Sequence, residues 1–371
     1  MSTLTGKLFP ESCLTDLEKE EKCTIINALW PGLNMVAPDL IEDHYLAFFN
    51  YLERTLQVLR PYASKFATQE WNGLLSMIAT LRNNRTITKQ ALKEKVTKEY
   101  LNTSDDSVVR SLELAIRLWL GINVCSKDLS VGPRNPQDCQ IHWRDDQSLT
   151  DLIAAQFSQK PNNTGTAKVL LNESFTAVNM RHICRLNIRW TDNLVDHLRL
   201  EGPRGQRSLS IYRHRLNLLN HQKSSQPTII PIEVLEEANR TLDLLFPFGD
   251  EKTRTFLQEE NVQSWTTFPS GVSQSTHLDD FKYWNHNLME LLSLLNGPPE
   301  TVMQTLLDTR DVSQFATLWI AIFGIFGLTI LFGVLSTVYS VKQYHVAIKS
   351  YDLALAQACV QYPTVLPGFC K

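Results

Sequence analysis

Asp192, Asp196 and His197 are the residues whose types and spacing come nearest to chemistry. On a helix the two carboxylates would share a face with an imidazole beside them, an arrangement that suits acid–base work or a metal ion. Helix capping and solvation account for the same three residues more economically. Cys125, Cys139 and His142 could supply three metal ligands, but no fourth donor stands at a usual spacing. No His-Glu-x-x-His, Walker loop, Gly-x-Ser-x-Gly elbow or Cys-x-x-Cys pair occurs anywhere in the chain. The sequence therefore names no catalytic, cofactor-binding or metal-ligating residue, and it leans against an enzyme.

The second concentration of chemistry is positive charge. Arg181, Arg185, Arg189, Arg199, Arg204, Arg207, Arg213 and Arg215 outnumber the neighbouring Asp192, Asp196 and Glu201. Arg189, Arg199, Arg204 and Arg207 are the candidate basic surface. The elements that would position them read as a helix over 176–184 after a Ser174 cap, then a second helix over 192–198 capped by Thr191. A hairpin follows, from 198–201 to 208–212 through the turn Gly202-Pro-Arg-Gly205. Helix, turn, helix and hairpin in that order predict a winged-helix-like unit. Such a unit either meets nucleic-acid phosphates, packs against a protein, or faces anionic lipid.

A third feature weighs against nucleic acid. From Ser313 to Val341 there is no Asp, Glu, Lys, Arg or His, and Phe315 to Val338 is long enough to cross a bilayer as one helix. Trp319 at one end, with Tyr339 and Tyr344 at the other, fits the aromatic belts of a membrane interface. Gly324, Gly327 and Gly333 would form small-residue notches for a second helix, although none makes a Gly-x-x-x-Gly pair. With no ionisable residue inside, the span is an anchor and not a transport path. Lys342 and Lys349 after the helix, against Arg310 before it, lean towards a cytosolic C-terminus. Met1–Lys22 has no signal-peptide apolar region, and moving a long body across the membrane without one favours the opposite sense. The expectation is a cytosolic N-terminal body with a short tail, 342–371, beyond the membrane. That tail can continue as helix through 351–358 before Pro363 and Pro367. Cys359 and Cys370 are read as free thiols, and the sequons at Asn84, Asn102, Asn162, Asn172 and Asn239 as chance.

The body before the anchor reads as mainly α. Hydrophobic residues make up 43% and charged residues 20%, enough to build a core, and a net charge of −3 implies no polyionic partner. Seven cysteines without regular spacing do not make a disulfide framework. Ala37 to Leu120 is helical in pattern. Thr88 caps 89–100, and Ser104, Asp105 or Asp106 caps 108–120, where Val108, Leu112, Ala115, Ile116 and Trp119 share a face and Glu113 pairs with Arg117 on another. Trp30, Trp71 and Trp119 read as packing residues. Further helices are expected near 149–157 and over 231–246, 252–260 and 278–295. The boundaries follow as 1–126, a helical subdomain; 127–147, a loop-rich linker; 148–225, the winged-helix-like unit; 226–312, helical; 315–338, the span; and 342–371, the tail. Within the linker Gly132, Pro133 and Pro136 break any helix, and a second loop is expected over 159–166.

Several phrases carry a resemblance. They are Ile188-Arg-Trp-Thr-Asp-Asn-Leu-Val-Asp-His-Leu198, Thr241-Leu-Asp-Leu-Leu-Phe-Pro247, Tyr283-Trp284, Pro298-Pro299, Leu318-Trp-Ile-Ala-Ile322 and Phe332-Gly333. From about Asn172 to Tyr351 the chain resembles a family of filamentous-fungal membrane proteins with a helical body, one C-terminal transmembrane helix and no assigned activity. The resemblance carries no active site. Because some relatives sit beside secondary-metabolite biosynthetic genes, it implies an accessory role there. The expected partners are the lipid bilayer and other proteins, with homo-oligomers through the span as a weaker prospect. The alternatives are a membrane-tethered nucleic-acid-binding protein and an enzyme of a metabolite pathway.

Overall fold

The computed structural model describes residues 6–9, 14–100, 103–126, 137–158, 169–224, 228–262, 277–297 and 312–361. The expectations for Cys370, Pro298-Pro299, Arg310, Pro363 and Pro367 lie outside the described residues, as do those for the sequons at Asn102 and Asn162, the loop 159–166 and the breakers Gly132, Pro133 and Pro136. The chain divides into two compact units, Met1–Glu300 and Thr301–Lys371.

The first unit is mainly helical because apolar residues recur along it at helical spacing and polar side chains cap the helix ends. Its first helices are α1 (Lys19–Leu29), α2 (Glu42–Leu59), α3 (Trp71–Asn83), α4 (Lys89–Glu99) and α5 (Asp105–Leu120). Thr88 caps α4 by accepting from Ala91 N–H, and Ser104 caps α5 by accepting from Ser107 N–H. The expected inward face of α5 is buried throughout, and so are Trp30, Trp71 and Trp119. One expectation for α5 fails. Glu113 is itself buried, and its carboxylate accepts from Ser126 N–H instead of lying on an outer face with Arg117. A carboxylate at that depth needs a donor close by, and the backbone after the helix supplies one. Gly121 ends α5 in the left-handed region at φ 63°.

Two-residue strands β1 (Val124–Cys125) and β2 (Ile141–His142) then pair in parallel, followed by α6 (Leu149–Gln156) under a Ser148 cap. Next come α7 (Ala177–Ile183), capped by Thr176 and not by Ser174, and a three-stranded sheet of β3 (Asn187–Thr191), β4 (Leu200–Glu201) and β5 (Ser208–Tyr212). The expected hairpin forms, with Leu200 opposite Leu209 and Glu201 opposite Ser208. The expected second helix over 192–198 does not. Only a single 3-10 turn, Leu194–Asp196, occupies it, and Asn187–Thr191 is a strand parallel to β5. Thr191 Oγ1 accepts from Asn193 N–H, a local turn that uses the hydroxyl expected to cap a helix. The sheet order is β3-β5-β4, so the region is a helix followed by a mixed sheet, without the helix pair of a winged helix.

The unit closes with α8 (Arg215–Lys223), α9 (Ile232–Leu245), α10 (Glu251–Glu259) and α11 (Asn285–Asn296). Helix α9 packs against α8 and buries Val234, Leu235, Ala238, Leu242 and Leu245, as its spacing predicts. Helix α11 starts later than expected. Before it, the N–H groups of Lys282, Tyr283 and Trp284 all donate to the Glu237 carboxylate, which holds 282–284 out of helical hydrogen bonding.

The second unit is described by one helix, α12 (Val312–Gln361), of 50 residues. The expected span and the expected tail helix are one unbroken element. At 1.5 Å per residue it is about 75 Å long, more than twice a hydrocarbon core of about 30 Å.

Candidate functional site

The Asp192–His197 segment turns out to be a junction. The Asp192 carboxylate accepts from Arg54 of α2 at 3.1 Å, from Arg213 Nε, and shares a 2.7 Å hydrogen bond with His214 Nε2. Asp196 is wholly buried and accepts from Cys139 N–H, from Asn193 Nδ2 at 2.8 Å and from Arg199 at 3.0 Å. Asn193 reaches back to Asn123 N–H and Cys139 C=O, and Leu194 N–H donates to Gly121 C=O. These bonds tie α2, the end of α5, residues 137–139 and the sheet to one turn.

His197 is equally interior. Its Nδ1 accepts from Tyr212 N–H, so Nε2 carries the proton and donates to Thr241 Oγ1 at 2.7 Å, which passes its own hydrogen to Ala238 C=O. Burial pushes the imidazole down to about 3, leaving it neutral. Each of the two carboxylates and the imidazole is held by fixed partners from other segments. The arrangement fixes backbone from several segments around one turn. Burial, followed by the charge of Asp196, raises the neighbouring Asp138 carboxyl against the pull of Arg189. No group of three or more His, Cys, Asp or Glu suited to a metal occurs among the described residues.

The candidate basic surface proves to be largely neutralised. Arg189 lies on β3 with its guanidinium on Ser210 Oγ, 3.3 Å from Asp138 and 3.6 Å from Glu201. Arg199 bridges Asp196 and Glu201, and Arg207 stands 3.7 Å from Glu290. Arg181 pairs with Glu260, and Arg215 with Asp243 at 2.6 Å. Arg204, on the hairpin turn, is exposed. The excess that counting along the sequence assigns to a surface is matched by acids from elsewhere in the chain: Asp138, Asp243, Glu260 and Glu290.

Two further features leave only a faint mark in the sequence. Glu237 stands on the apolar face of α9, three residues after Val234, and that misplaced charge was the available signal for its clamp on 282–284. Exposed Phe248 separates two depressions of about 260 and 480 Å³ that share Pro247, Phe248 and Asp250. Neither is lined by a cysteine, a histidine or a serine.

The remaining candidate is α12. From Phe315 to Gln361 it is long and apolar enough to cross a membrane, and none of its most apolar stretch is buried in the protein. Ile320, Phe323, Ile325, Phe326, Leu328 and Phe332 are exposed. Thr317, Thr329 and Thr337 return their hydroxyls to the helix, each donating to the carbonyl four residues earlier at 2.8 Å. At Gly324, Gly327 and Gly333 an added Cβ would meet nothing within 4 Å. Cys359 is disulfide-bonded, which corrects the expectation of a thiol there, whereas Cys23 and Cys139 in the first unit are thiols. Of the sequons, Asn239 is buried in α9 and out of reach of modification.

In comparison with known proteins, the chain matches no family model, no curated protein and no solved structure.

Proposed function

We propose that this chain is a single-pass membrane-anchored accessory or interaction protein, its helical body held at the cytosolic face by Phe315–Val338. The observation that carries the reading is α12, which is long and apolar enough to cross a bilayer and leaves its large apolar side chains exposed. The interior supports it from the other side. The Asp192–His197 cluster is engaged in hydrogen bonds that hold segments of the body together, in keeping with a scaffold for contacts.

Membranes from cells expressing a doubly tagged chain test both parts. The protein is expected to stay in the pellet after alkaline carbonate extraction, with the N-terminal tag digested by external protease and the C-terminal tag protected. Release into the supernatant sinks the anchor; the reverse protection pattern sinks the orientation. Proximity labelling from the N-terminus is then expected to recover cytosolic proteins. Where the family resemblance bears on the accessory role, deletion of the gene changes a secondary-metabolite profile. The alternative, nucleic-acid binding, would show as salt-dependent association weakened by Arg204→Ala and Arg207→Ala. The ion pairs around Arg189, Arg199 and Arg207 weigh against it.

A further inference from the structure

We draw no further inference here: the strongest candidate, the depression of about 260 Å³ between the end of α9 and the start of α10 that the Arg215–Asp243 ion pair lines beside exposed Phe248, carries nothing because the atoms of that pair left without a hydrogen-bond partner, Arg215 Nε and Asp243 Oδ2, are shut off from solvent, and nothing in the structure shows what covers its apolar wall.

Discussion

Gly121 shows how tightly single residues are held at the junction. Its φ of 63° is strained for any side chain, and a Cβ built there would sit 2.6 Å from Tyr212 Oη. Gly121→Ala is expected to destabilise the protein by about 1 to 3 kcal/mol, read as a lowered urea midpoint by tryptophan fluorescence. Glu237 is the second such residue. Burial raises its carboxyl even though three N–H groups donate to it, and Glu237→Gln sets an amide NH2 against one of those donors. A loss of about 1 to 3 kcal/mol is expected by the same measurement. His197 and His221 fix a pH dependence. Burial holds them neutral, at about 3 and about 4, while the unfolded chain protonates near 6.5. Between those limits the unfolded state binds more protons, so their contribution is fully present above about pH 6.5 and falls as the pH drops. The expected slope is up to about 1.4 kcal/mol per pH unit for each imidazole between pH 6.5 and 4. Glu113 and Glu237, raised by burial, act in the opposite sense. The readout is therefore the difference between the parent and a His197→Gln, His221→Gln variant, whose profile is expected to be flatter.

At the scale of elements, local signals were enough for the helices. Thr88 and Ser104 cap where their side chains and the following apolar rows say they should, and α9 keeps its boundaries within a residue. The strand β3 was not readable in that way. Its pairing with β5 joins residues some twenty positions apart, and the partners of its Arg189, Ser210 and Asp138, also come from elsewhere in the chain. The same long-range dependence hid the loss of the helix expected over 192–198, because Asn193 and Asp196 bond to Asn123 and Cys139 more than fifty residues away. Residue counting likewise assigned the arginines to a surface, since the acids that meet them come from distant segments. For α12 the sequence pattern was sufficient to identify it. Leu328→Arg, at the centre of the uncharged stretch, is expected to cost about 2.5 to 3.5 kcal/mol of insertion and to move protein into the carbonate supernatant.

Across the whole molecule, one hydrophobic core runs from Leu8 to Leu295, joining residues from both ends of the first unit. A chain ending at Glu300 is therefore expected to remain in the high-speed supernatant and to unfold in a single cooperative transition, while the full-length chain sediments with membranes. Two separate transitions in that truncated chain would overturn the single core. At this scale the two units differ: the first folds around its own interior, and the described helix of the second leaves its large apolar side chains exposed.

The unbroken course of α12 has a mechanical consequence. Helices bend sharply at prolines or where their hydrogen-bond ladder is interrupted, and no proline occurs between Val312 and Gln361. Such a rod has no hinge in which torsion can be lost, so a rotation imposed at one end emerges at the other with the same sense.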